Sequence, residues 1–185
     1  MITSPFCTIG PFFPFEFVDG LNDLTTLDGQ TARGQHILLT GRVLEEGGAP
    51  TGNTILEIWQ PDAAGTLRHP LDPRSTEADP GFGGWGRART DAQGVYTFRT
   101  VLPGAPAGRA PHIDVMILAI GLTRRLVTTV FFGDASADPV LQCVPEPARP
   151  RLIAQRDPSL DAAGVQGYRF DLILRGENET PFFLD

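Results

Sequence analysis

The sequence contains no lysine; all fifteen of its cations are arginine, a matter of base composition to which no function attaches. It has no run of like charge either. A net charge of −7 spread over 185 residues offers no clustered basic face to a phosphate backbone, so nucleic acid is not expected as a partner. No stretch approaches the roughly 20 continuous apolar residues that span a bilayer, and no membrane association is expected. Cysteine is scarce. Cys7 and Cys143 stand far apart and match no metal or redox spacing, which leaves reduced, buried thiols as the expectation. The apolar start, residues 1–18, has no basic residue before Arg33 and is interrupted by Pro5, Pro11 and Pro14, unlike a signal peptide. A cytoplasmic protein is expected. Two catalytic signatures are missing as well: no Gly-x-Ser-x-Gly elbow and no Gly-x-x-x-x-Gly-Lys phosphate loop.

What the chain does have is a period of two. Apolar alternation predicts strands at residues 36–44, 53–60, 94–101, 112–120, 125–132 and 168–175, with turn chemistry between them at Glu46-Gly-Gly-Ala-Pro50, Asp91-Ala-Gln-Gly94 and Gly121. In the last strand Phe170, Leu172 and Leu174 take one face, and Arg169, Asp171 and Arg175 the other. The expectation is an all-β fold, a single-domain β-sandwich with long loops and little helix. The one helical candidate is short, about residues 150–156. Residues 61–91 show no clear strand, yet Phe82 and Trp85 within them require a packing partner.

Residues 1–33 read as an extended N-terminal arm and linker, and residues 34–185 as the sandwich core. Phe6, Phe12, Phe13, Phe15 and Phe17 are spaced by prolines that forbid a regular helix or a central strand. Such a segment either folds back on its own core or lies across a partner subunit, and aromatics with little secondary structure suit the second.

The histidines, His36, His69 and His112, include no pair at metal-ligand spacing. His112 and Asp114, two apart on a predicted strand, share a face. They could begin a 2-His-1-carboxylate site only with a distant histidine, and a hydrogen-bonded polar pair is the plainer reading. Gly81-Phe-Gly-Gly-Trp-Gly86 is glycine-rich, but it does not lie between a strand and a helix, as a nucleotide loop would.

Several segments, in order, resemble the intradiol ring-cleavage dioxygenases: Leu56-Glu-Ile-Trp-Gln-Pro-Asp-Ala-Ala-Gly65, Phe82-Gly-Gly-Trp-Gly-Arg87, Thr90-Asp-Ala-Gln-Gly94, Tyr96-Thr-Phe-Arg-Thr100, Val101-Leu-Pro-Gly104, Pro111-His-Ile113 and Tyr168-Arg-Phe-Asp171. The resemblance implies the family's β-sandwich and a mononuclear ferric ion held by two tyrosines and two histidines. Mapped onto this chain, the tyrosine positions fall on Leu67 and about Pro106, and the second histidine on Asp114; only His112 remains. The chain's two tyrosines, Tyr96 and Tyr168, lie on strand motifs elsewhere. No catalytic residue and no metal is therefore expected in this chain.

Loss of the ligands on a retained scaffold resembles the α subunits of the family's two-chain members, whose Fe(III) sits in a β subunit. Those members open 3,4-dihydroxybenzoate with O₂ to 3-carboxy-cis,cis-muconate. Thr8-Ile-Gly-Pro-Phe12 resembles the α segment that reaches the partner's pocket, and Gly176-Glu-Asn-Glu-Thr-Pro-Phe-Phe183 the α ending. The resemblance thus implies pocket contributions from Thr8, Gly10, Pro11, Phe12 and Thr129, the last standing where an arginine near the substrate carboxylate is found. It also implies a vestigial site of Leu67, Pro106, Arg109, His112 and Asp114. Two other readings stay open: a non-catalytic module on the same sandwich, and an independent metalloenzyme using His112 and Asp114.

Overall fold

A computed structural model describes residues 9, 10 and 13–183. Two sheets form the sandwich. In the first, β3 (His36–Leu44) is central, with β6 (Val95–Val101) antiparallel along one edge. Its other edge is paired in parallel by β10 (Val165–Arg169) and then β11 (Leu172–Ile173), and β9 (Gln155–Arg156) adds outside β10. The second sheet is antiparallel throughout, in the order β5 (Trp85–Arg89), β4 (Ile55–Trp59), β7 (His112–Leu118), β8 (Leu126–Phe131). Between the sheets lie Ile37, Leu39, Tyr96 and Phe98 from the first and Leu56, Ile58, Ile113, Ile117 and Val130 from the second, all buried. Phe82 joins them from its loop, which answers what that aromatic packs against.

The predicted strand 168–175 is two strands. Between them the strand pairing breaks at Phe170 and Asp171: the Phe170 N–H still donates to the Thr40 carbonyl (2.9 Å), but side chains take the next bonds. The Asp171 carboxylate accepts the Arg42 N–H (2.8 Å), and the Tyr96 hydroxyl donates to the Phe170 carbonyl (2.6 Å). Gly41 lies so close to that carbonyl that a Cβ there would stand 1.7 Å from its oxygen, so only glycine fits.

Three further expectations are corrected. The helix at 150–156 is instead a 3₁₀ segment at Glu146–Leu152, and Gln155 and Arg156 are strand. Pro145, Pro147 and Pro150 remove the N–H groups an α-helix needs. The only α-helix among the described residues is one turn, α1 (Pro139–Gln142). Residues 61–91 do contain a strand, β5. Its inward positions are Gly86 and Ala88, too small to register as apolar alternation, and Gly86 is small because Leu24 lies over it. Cys143 is exposed, since it follows the single turn of α1 at the surface; Cys7 lies outside the described residues.

Much of the expected arm and linker packs on the sandwich. Residues 21–24 run along two sheet edges at once: the Leu21 carbonyl accepts the Arg87 N–H of β5 (2.9 Å), and the Asn22 carbonyl accepts the Arg99 N–H of β6 (2.8 Å). Leu24 and Ala32 are buried in the main core, with the β1–β2 hairpin (Thr26–Leu27, Gln30–Thr31) between them. Both exposed edges are thereby capped against pairing with other chains. A satellite core of Phe131, Leu141, Val144 and Leu152 covers one end of the second sheet's outer face. Among the described residues no helix is long and apolar enough to cross a membrane.

Candidate functional site

Of the site positions inferred from sequence, His112 and Asp114 lie on β7 and Thr129 on β8, and Leu67 and Pro106 lie on two loops. Residues 61–66 form a turn built on Asp62, whose buried carboxylate accepts the N–H groups of Ala64 and Thr66 through one oxygen and of Asp79 through the other (each 2.9 Å). Asp79 repeats the device, accepting from Arg33 N (2.6 Å) and Gly81 N (3.0 Å). Burial alone would push the Asp79 carboxyl up, but these N–H donors and the Arg33 guanidinium outweigh it and hold it below the usual carboxylate range. The loop lacking a strand pattern is thus held by two aspartates. Asp62-Ala-Ala-Gly65 and Asp79-Pro-Gly81 are turn signatures that could have revealed it.

The next contact carries the argument. At Gly65 (φ +79°) a Cβ would meet the Ala105 carbonyl oxygen at 2.2 Å, and at Gly104 the Gly65 nitrogen at 2.4 Å. The turn leading to Leu67 and the loop carrying Pro106 are therefore pressed backbone to backbone. Two residues beyond Leu67, the His69 ring stands edge-on to Trp59 (6.2 Å), and Trp59 is paired with Asp114 across β4 and β7. Leu67 and Pro106 thus sit on loops in backbone contact, and His69 links the Leu67 loop to Trp59, the cross-strand partner of Asp114.

The chemistry there is not that of a ferric site. His112 is buried; its Nδ1 lies 2.7 Å from the Ala110 carbonyl, which makes Nδ1 the donor, and its Nε2 is 3.8 Å from Asp114 Oδ2. The other Asp114 oxygen accepts from the Thr129 hydroxyl (2.8 Å). Leu67 offers only its N–H, to Asp72 (2.9 Å), and Pro106 only its carbonyl, to Arg109 N (3.1 Å). No phenolate can be supplied from elsewhere. Tyr96 is sealed in the core, where burial, and then the nearby Asp171 charge, push its phenol far above its ordinary value. Tyr168 lies against Phe132 and Arg156. Among the described residues no three metal-binding side chains cluster. The residues present do not fit the ferric ion that the resemblance implies.

Arg109 is turned away from this pair. Its Nε donates to Asp138 (2.8 Å), whose fully buried carboxylate also accepts from Ala110 N and caps α1 through Val140 N. Gly10 is exposed and has no neighbour that a Cβ would meet. Thr8, Pro11 and Phe12 lie outside the described residues.

A family profile described as Dioxygenase matches residues 9–176. The chain belongs to the intradiol dioxygenase family. It is 41% identical to the protocatechuate 3,4-dioxygenase beta chain of Burkholderia cepacia, over 89% of this chain and 78% of that one. To the alpha chain of the same organism's enzyme it is 37% identical, over 97% and 96%. Its fold resembles an intradiol ring-cleavage dioxygenase from Tetranychus urticae (TM-score 0.62, 20% identity, 94% of each chain) and the dioxygenase domain of a carbohydrate-binding fusion from Streptomyces sp. SirexAA-E (TM-score 0.59, 24% identity, 96% and 98%). At those identities the solved structures speak for the fold alone.

Proposed function

We propose that this chain is the α, non-iron-binding subunit of a protocatechuate 3,4-dioxygenase, working beside a β subunit that holds Fe(III). The complex would cleave 3,4-dihydroxybenzoate with O₂ to 3-carboxy-cis,cis-muconate, in the cytoplasm. What supports the reading is the chemistry at the positions mapped from the family pattern: Leu67, about Pro106, and Asp114 offer neither phenolate nor imidazole, which leaves His112 alone of the four implied ligands. Identity favours a second reading, since the beta relative is the more identical of the two. A β-type chain needs its own tyrosinates, however, and neither tyrosine here can reach. Coverage also favours α, with the alpha relative matched over nearly its whole length.

In this reading the ferric ion chelates the catecholate in the partner, and this chain supplies wall. Thr8, Gly10, Pro11 and Phe12 would reach the partner's pocket, glycine permitting close backbone approach and the phenylalanine excluding water. Thr129 would bring a hydroxyl where the α pattern has an arginine, leaving the substrate carboxylate to other residues.

The test is co-expression with a β chain, followed by iron content, tyrosinate-to-iron absorption and O₂ uptake on protocatechuate. A coloured, active complex that loses activity when residues 1–14 are deleted supports the reading. Iron and activity in the pure α chain, or chains that do not associate, would sink it.

A further inference from the structure

The arm holds itself lightly. Two turns follow one another along it: the Phe13 N–H donates to the Gly10 carbonyl and the Phe17 N–H to the Pro14 carbonyl (3.2 Å each). Among the described side chains from residue 9 to residue 17 none is buried. The Phe13 ring stands edge-on to Phe17 (6.2 Å), but the Phe17 ring is itself 56% exposed, so its burial holds little. Ile9, Gly10 and Phe13 rest along a groove with Asn53, Ile55 and Ile120, and a Cβ at Gly10 would touch nothing. A segment with so little buried contact opens at small cost, and its direction depends on what fixes its root.

Arg87 of β5 is that root. Its backbone N–H donates to the Leu21 carbonyl (2.9 Å) and its Nη1 to the Phe17 carbonyl (2.8 Å), so one residue grips the chain at both ends of the 17–21 stretch. The guanidinium is itself held. Its Nε (2.8 Å) and its Nη2 donate to one carboxylate oxygen of Glu57, directly across on β4, and its central carbon lies 5.1 Å from the centre of the Trp85 ring. The two side chains are only 20% and 18% exposed. A planar fork fixed on a carboxylate through two nitrogens leaves the third aimed in one direction. A lysine ammonium, a point donor on a flexible stem, cannot serve both acceptors in this way. The ion pair is complete without Phe17, so the bond from Nη1 acts on the arm and not on the β4–β5 ladder.

We propose that Arg87 is a positioning residue for ring cleavage: through the Phe17 carbonyl it sets where Gly10, Pro11 and Phe12 stand beside the catechol bound in the partner. The proposal rests on the α-subunit reading and names the residue through which the sandwich steers its arm. Gly10 stands seven residues before Phe17, so the arm is a lever, and a small rotation at its root sweeps the tip. A misplacement of about 1 Å beside reacting groups costs up to about 100-fold. Because the iron belongs to the partner, loss of the anchor acts on how substrate is held and leaves the metal centre as it was.

The experiment uses the co-expressed pair and protocatechuate. Arg87→Met keeps an apolar stem over Trp85 and removes every side-chain donor. It is expected to raise KM at least about 10-fold with kcat within about 3-fold of wild type, while iron content, tyrosinate-to-iron absorption and sedimentation as a complex stay unchanged. Arg87→Lys is expected to recover only part of the loss. Since Arg87→Met leaves Glu57 without its partner, the variant is repeated with Glu57→Gln. The same rise in KM is expected there; a return to the wild-type KM would trace the effect to the unpaired carboxylate and overturn the proposal. Phe12→Ala gives the comparison that a merely structural role does not pass. If Arg87 acts through the arm, adding Arg87→Met to Phe12→Ala raises KM by less than the product of the two single effects. Effects that multiply mean that Arg87 acts elsewhere, and the proposal fails. If deleting residues 1–14 removes activity and Arg87→Met is silent, the role of Arg87 falls and the arm stands. If that deletion is silent, the arm reading falls and takes this inference with it.

Discussion

Asp62 shows how much a single carboxylate can organise. Three backbone N–H groups from two separated turns converge on its buried carboxylate. Asp62→Ala strands the Thr66 and Asp79 N–H groups away from water, while Ala64 is exposed, and each buried, unpaired donor costs about 1–3 kcal/mol. The expected loss is about 3 kcal/mol, read as a lower urea midpoint at unchanged slope; a loss under about 0.5 kcal/mol would mean the turns stand without it. Gly41→Ala is the harsher change. Its methyl would meet the Phe170 carbonyl inside a paired ladder, where backbone cannot give way cheaply, so the variant is expected to be insoluble. Recovery of soluble Gly41→Ala with the wild-type melting temperature would show that β10 and β11 can separate at the Phe170 break.

At the scale of elements, the loops rather than the strands carry the acid sensitivity. Asp72 and Asp79 hold the 61–82 loop, and Asp138 caps α1 while accepting from Arg109 and Ala110. Asp72 is held low by the Arg74 and Leu67 N–H groups. At Asp138 burial pushes the other way, but the N–H donors and the Arg109 guanidinium prevail. Because folding lowers these carboxyl values below the 3.8 of a free aspartate, their contribution is complete above that pH and is lost as pH falls through the folded values. Stability is therefore expected to be flat with respect to these groups from pH 7 to about 5 and to fall below about 4. Pepsin should then cut the 61–82 loop before the sandwich strands; cleavage of strands first would refute the assignment. The same division governs what the sequence disclosed. The six predicted strands rested on alternating large apolar residues, and β3, β4, β6, β7 and β8 appear within a few residues of their expected ends. β5 escaped because its core positions are Gly86 and Ala88. The break at Phe170 escaped because it depends on Asp171 and Tyr96, and the 61–82 loop because its order comes from carboxylates accepting N–H groups, which leave no periodicity.

At the scale of the whole molecule, fold and chemistry have come apart. Family resemblance located Leu67, Pro106, His112 and Asp114 in sequence, but only the structure shows the Gly65–Ala105 contact that presses two of their loops together. That contact is a property of glycines and backbone, not of the side chains at the mapped positions, so it should survive their replacement. The variant combining Leu67→Tyr, Pro106→Tyr and Asp114→His should then take up ferric iron in the isolated chain and show tyrosinate-to-iron absorption. Asp114→His alone, lacking both phenolates that suit a charge-dense Fe(III), should stay colourless. The order of these outcomes is the informative part. A coloured triple variant means that the α lineage lost its metal by side-chain replacement on a standing scaffold. A colourless but folded triple variant means that the loops carrying residues 67 and 106 have drifted beyond coordination distance. In that case reversing the replacements on this chain cannot recover the site, whichever partner is present.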